Sequence, residues 1–153
     1  MGLGASMKET TLHHYRDPFV ELLAEDAEID LLGVIIMGSA DDTPTKILAS
    51  NRTAQLLCSL KADGAILSCN GFGNNHVDYA NLINEVGKNK LPFVAMSVCD
   101  AENFVVTNNY LTEVLPFYKS NQGKETGILA QNTVTKEDAQ KAIARLRLKM
   151  RHS

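Results

Sequence analysis

Asn70, Asn74, Asn75, His76 and Asp78 fall within nine residues of one another, in the stretch Cys69-Asn70-Gly71-Phe72-Gly73-Asn74-Asn75-His76-Val77-Asp78. Amides donate and accept hydrogen bonds, and an imidazole titrates near neutrality. A carboxylate two residues further on orients such a ring or caps a helix. Gly71 and Gly73 supply the backbone freedom of a strand-to-helix turn. The ligand-binding candidates are therefore Ser39, Asn70, Gly71, Gly73, Asn74, Asn75, His76 and Asp78, with a capped turn of purely structural use as the plain alternative. Gly-Phe-Gly lacks the GxGxxG spacing of a dinucleotide fingerprint. Cys69 and Cys99 lie at the ends of successive apolar runs. A thiol there, its pKa lowered by a helix amino terminus or by His76, is a nucleophile or redox group; as a small buried hydrophobe it needs no chemistry. His76, Cys69 and Cys99 are accordingly the catalytic candidates. Cys58 is expected to pack on a helix, and Asp41 and Asp42 to cap one.

Three cysteines without metal-type spacing make a zinc cage or a disulfide framework improbable, and no metal site is expected. His13 and His14, beside Arg16 and Asp17, read as a solvated or interface segment before they read as ligands. There is no Gly-x-Ser-x-Gly elbow, no HExxH and no informative carboxylate pair, which leaves hydrolase, metalloprotease and glycosidase readings unsupported.

The elements that must position these groups follow from the apolar pattern. Asp30 to Met37 holds Leu31-Leu32-Gly33-Val34-Ile35-Ile36-Met37, and Ala65 to Cys69 and Leu91 to Val98 are similar short runs. Each has the composition of a strand covered on both faces. Between them, Thr45 to Leu60 carries Ile47, Leu48, Ala54, Leu56, Leu57 and Leu60 as one helical face. Val77 to Asn89 carries Leu82, Ile83 and Val86. Strands alternating with helices predict an α/β chain, a single-domain three-layer Rossmann-like fold with a mostly parallel sheet. Ser39, Asn70 and Cys99 would then meet at one rim, where such sheets carry their sites. A short helix starting at Pro18, with Asp17 as cap and Leu22, Leu23 and Ala27 inward, precedes the first strand. Phe104 to Thr107 reads as a short strand, Tyr110 to Tyr118 as a helix that Pro116 must start, kink or end, and Ile128 to Ala130 as another strand. The clearest helix runs from Thr135 to Met150, opened by a Thr-x-x-Asp capping pair with Asp138. Because the Asn70–Asp78 loop is expected at the surface, His76→Ala should hold the melting temperature within a few degrees.

At 153 residues, 44% hydrophobic and 22% charged, the chain is the size of one domain with a real core. Residues 1–153 are read as that domain, with 1–17 as an amino-terminal extension. A net charge of -3 offers no basic field for nucleic acid. No apolar segment approaches the ~20 residues of a membrane span, and the polar amino terminus is unlike a signal peptide, so a soluble cytoplasmic protein is expected.

Six segments together resemble a known family: Met1-Gly2-Leu3-Gly4, His13-His14-Tyr15-Arg16-Asp17-Pro18, Asp30-Leu31-Leu32-Gly33-Val34, Asp63-Gly64-Ala65-Ile66, Gly71-Phe72-Gly73-Asn74-Asn75-His76-Val77-Asp78 and Val105-Val106-Thr107-Asn108. They are similar to the D-proline reductase PrdA-related proteins, among them the small PrdD- and PrdE-like paralogues. The Gly-x-Gly-Asn-x-His-x-Asp loop is also similar, more distantly, to a segment of the glycine, sarcosine and betaine reductase component B proteins. The resemblance implies a role in Stickland-type amino-acid fermentation, where D-proline is reductively opened to 5-aminovalerate. In that family a proprotein is cleaved at an internal cysteine to create a pyruvoyl group, and a selenocysteine subunit delivers the electrons. None of Cys58, Cys69 or Cys99 matches the pyruvoyl precursor. The resemblance therefore implies an accessory or substrate-binding subunit, with pyruvoyl and selenocysteine in partner subunits and no cofactor in this chain. The expected partners are proline reductase subunits or further copies of the chain, together with proline or a related amino acid. A small amino-acid sensor without catalysis is the alternative.

Overall fold

The computed structural model describes residues 18–69, 73–98, 100–112, 114–117 and 134–152. In chain order these form α1 (Pro18–Ala24), α2 (Thr43–Ser59), β1 (Ala65–Cys69), α3 (Asn75–Lys88), β2 (Phe93–Ser97), a single 3₁₀ turn (Ala101–Asn103), β3 (Leu115–Pro116) and α4 (Lys136–Arg151). The sheet has the order β1-β2-β3. All pairings are parallel, with Ala65 opposite Phe93, Cys69 opposite Ser97, and Met96 opposite Leu115. The chain is thus α/β with a three-stranded parallel sheet, and β1–α3–β2 is the crossover unit that the alternating runs predict.

Local chemistry explains the helix ends. Asp42 caps α2, its side chain accepting from the Thr45 N–H at 2.9 Å, with a proline in the first turn. Thr135 and Asp138 form the expected reciprocal capping box at the start of α4. Beyond α2 and α3 the chain turns through left-handed residues, Lys61 at φ 53° and Lys90 at φ 58°, closing each helix without a glycine.

Both faces of the sheet are covered. On one side Ala65, Leu67 and Cys69 of β1 and Ala95 of β2 pack with Tyr79, Ile83 and Val86 of α3, behind which α2 contributes Ala54. On the other, Val94 and Met96 of β2 meet Ala139, Ala142, Ile143 and Leu146 of α4 and Phe19 of α1. Arg147 of α4 reaches Asp26, just past α1, and fastens that layer.

Six expectations need correction. Residues 30–37 are not a strand. Leu32, Val34 and Ile36 are exposed, Gly33 sits at φ +151°, and an apolar run without a hydrogen-bonded neighbour is not part of a sheet. The inward face of α2 is Lys46, Ser50 and Ala54, while Leu48, Leu56 and Leu60 are about half exposed and Cys58 is exposed rather than packed. Small side chains and one paired lysine let α2 approach α3 closely, and the leucines are left outside. Phe104 to Thr107 is irregular, following the 3₁₀ turn, and the helix expected near Tyr110 is replaced by turns leading to the two-residue β3. Pro116 lacks an N–H for a longer ladder and is tolerated at the sheet edge. Ala27 lies beyond α1 and is exposed. Asp17, the Ile128–Ala130 strand and the extension at 1–17 lie outside the described residues.

Candidate functional site

The carboxyl end of β1 is followed by a turn in which Gly73, at φ +66°, adopts a conformation that side chains disfavour. The His76 N–H donates to the Gly73 carbonyl at 2.9 Å, and α3 starts at Asn75. Asn74 is exposed and offers no side-chain cap, and Asn75 is half-buried. The next turns of α3 face the interior: His76, Asp78 and Tyr79 are 0%, 1% and 3% exposed.

Each of the three is held by a different part of the chain. His76 stacks on Phe104, ring centroids 4.0 Å apart and planes within 9°. The segment carrying Phe104 binds α3 twice more: Asn108 donates to the Ala80 carbonyl at 2.8 Å, and the Tyr110 ring lies against Gly87, where a Cβ would come within 2.3 Å of it. Tyr79 places its hydroxyl between β1 and β2, 2.8 Å from the carbonyls of Leu67 and Met96, and accepts the Met96 N–H at 2.9 Å.

Asp78 faces Lys46 of α2, with 3.8 Å between carboxylate and ammonium and both side chains almost wholly buried. Lys46 Nζ donates to Ser39 Oγ at 2.7 Å. Behind it, Ser50 donates to the Lys46 carbonyl at 2.9 Å, and Asn81 of α3 donates to Ser50 Oγ and Asn51 Oδ1 at 2.6 and 2.8 Å. Neither oxygen of Asp78 accepts a hydrogen bond, because at 3.8 Å the lysine attracts as a charge without donating. A buried carboxylate so placed retains acceptor capacity for an N–H-bearing group, and its neighbouring ammonium offsets the cost of burial.

The structure therefore joins Ser39, through Lys46, to Asp78, and sets His76 on the same helical turn. Cys69 is a buried thiol at the last position of β1, in the core cluster that includes Tyr79 and Phe104. Asn70, Gly71, Phe72 and Cys99 lie outside the described residues. The exposed-loop reading of His76 is overturned: stacking by Phe104 buries it. Sequence reasoning missed Lys46, Tyr79 and Phe104. For Lys46 the available signal was the period-four row Lys46, Ser50, Ala54, which competes with a more apolar row of leucines. For Phe104 there was none, because its contact is made across 28 residues of chain. Among the described residues no three His, Cys, Asp or Glu side chains gather as a metal site. An open hollow lined by Gly87, Leu91, Phe93, Tyr110 and Lys149 lies at the amino end of β2, away from this chemistry. Among the described residues no helix is long and apolar enough to cross a membrane.

Residues 2–101 match the family model of glycine/sarcosine/betaine reductase component B subunits. The chain is also 38% identical over 146 residues to the D-proline reductase proprotein PrdA of Acetoanaerobium sticklandii, a match covering 95% of this chain and 23% of that relative. The chain thus spans less than a quarter of the length of the curated relative. No solved structure matches it. On these two matches, the chain belongs to the family of component B reductase subunits and PrdA-related proteins.

Proposed function

We propose that this chain is a PrdE-like accessory or substrate-binding subunit of a D-proline reductase system, serving the reductive opening of D-proline to 5-aminovalerate in Stickland fermentation in the cytoplasm. The observation that carries this is the buried Asp78 carboxylate beside Lys46, its oxygens without a hydrogen-bond partner, in a chain related along 95% of its length to a D-proline reductase proprotein. The ring amine of D-proline is one N–H donor that such a carboxylate could accept. Residues 1–153 are read as one Rossmann-like domain, with 1–17 as an extension. The pyruvoyl group and selenocysteine belong to partner subunits. Neither described cysteine fits a cleavage site, because Cys58 lies inside α2 and Cys69 within the β1 ladder, where cutting the backbone would break the element.

Co-purification from an anaerobe expressing the system tests the assignment: the chain should travel with the larger reductase subunits and be uncleaved within residues 1–153. A shortened chain bearing a new carbonyl terminus, or no association, refutes it. The second reading, a free-standing amino-acid sensor, is favoured by the opposite charges of Lys46 and Asp78, which match a zwitterion. Calorimetry with D-proline separates the two. Binding by the chain alone supports the sensor, and binding only with the larger subunits supports the accessory role.

A further inference from the structure

We propose that the run Leu31–Met37 is the surface through which two copies of this chain pair, strand against strand about a two-fold axis at Val34. The run alternates. Leu32, Val34 and Ile36 are 54%, 65% and 92% exposed, while Leu31, Ile35 and Met37 turn inward and are half-buried. That period of two is the pattern of a strand, yet among the described residues no backbone N–H or carbonyl from 31 to 38 has a hydrogen-bond partner. Open backbone and a contiguous apolar ridge are what a sheet edge presents to an incoming strand.

The pattern suits a second copy of the chain. Residues 31–40 carry no charge. Strands related by a perpendicular two-fold are antiparallel, and an axis at Val34 sets Val34 against itself and Leu32 against Ile36 of the second copy. Asp30 then lies opposite Gly38, so no two acids face each other. The run is its own complement in both shape and charge. This inference stands apart from the reductase reading, because it uses none of the residues around Asp78.

Sedimentation of the full chain tests it, with a species of twice 16.7 kDa expected as concentration rises. Val34→Lys brings two ammonium groups together on the axis and should weaken pairing roughly 100-fold or more. Val105→Lys, at another exposed apolar position, should leave pairing unchanged. Hydrogen exchange should show amides 32–37 protected only at concentrations where the dimer forms. Far-UV circular dichroism checks that the Val34→Lys monomer keeps the wild-type fold. A wild-type chain that stays monomeric, a dimer indifferent to Val34→Lys, or protection of 32–37 that requires added reductase subunits would each overturn the proposal.

Discussion

Removing Lys46 tests the geometry of the site directly. At 3.8 Å the Lys46–Asp78 attraction amounts to about 4 kcal/mol at an effective dielectric near 20. Lys46→Met leaves Asp78 buried, charged and without a hydrogen bond, and losing one member of such a pair typically costs about 3–5 kcal/mol. For a chain of 153 residues this corresponds to a fall in melting temperature of roughly 6–20 °C. Asp78→Leu should cost a similar amount by stranding the ammonium against Ser39. The double variant removes both charges and fills the gap with apolar volume, so its stability should return to within about 1–2 kcal/mol of wild type. Urea denaturation of the four proteins, followed by circular dichroism, measures the coupling between the two positions. Single variants each costing under about 1 kcal/mol, or simple addition of the two losses, would refute a buried pair. The double variant also separates scaffold from function: folded and stable, it should still fail to bind D-proline in the presence of the larger subunits.

Three further outcomes follow from the structure. His76→Ala should destabilise by about 2–4 kcal/mol in thermal melts, since it empties a buried position stacked on Phe104; a change within a few degrees would return the loop to the surface. Gly87→Ala should cost about 1–3 kcal/mol because its Cβ would overlap the Tyr110 ring, and Tyr110→Ala in the same chain should recover the loss. The Thr45 N–H and hydroxyl hold the Asp42 carboxyl below its ordinary value of 3.8. Its contribution to stability is therefore complete above that value and lost as pH falls through the lowered one, so Asp42→Asn should flatten that part of an acid denaturation profile.

Sequence patterning reached the sheet where burial is two-sided and the partner is near in the chain. β1 and β2 are short apolar runs joined by one helix, and the Ile83–Val86 stripe of α3 and the capping box of α4 are written in local spacing. It failed where an apolar pattern had more than one use. Leu31–Met37 has the composition of a core strand, but composition does not supply the neighbour that makes a strand. On α2 the leucine row outweighed the row that faces the core, because a buried lysine reads as a surface residue until Asp78, 32 positions later, is known to meet it. The structure places His76 and Asp78 on the first turns of α3, but their depth was not legible, since the ring that covers His76 comes from Phe104 and no periodicity connects them.

The Tyr79 hydroxyl works as a rivet through the floor of the site. It joins β1 to β2 from a helix whose preceding residues are Asp78 and His76. For α3 to slide or rotate, this phenol would have to give up its buried hydrogen bonds to β1 and β2. The imidazole and carboxylate are consequently immobile relative to the strands. An arriving molecule would therefore meet these two groups already in place.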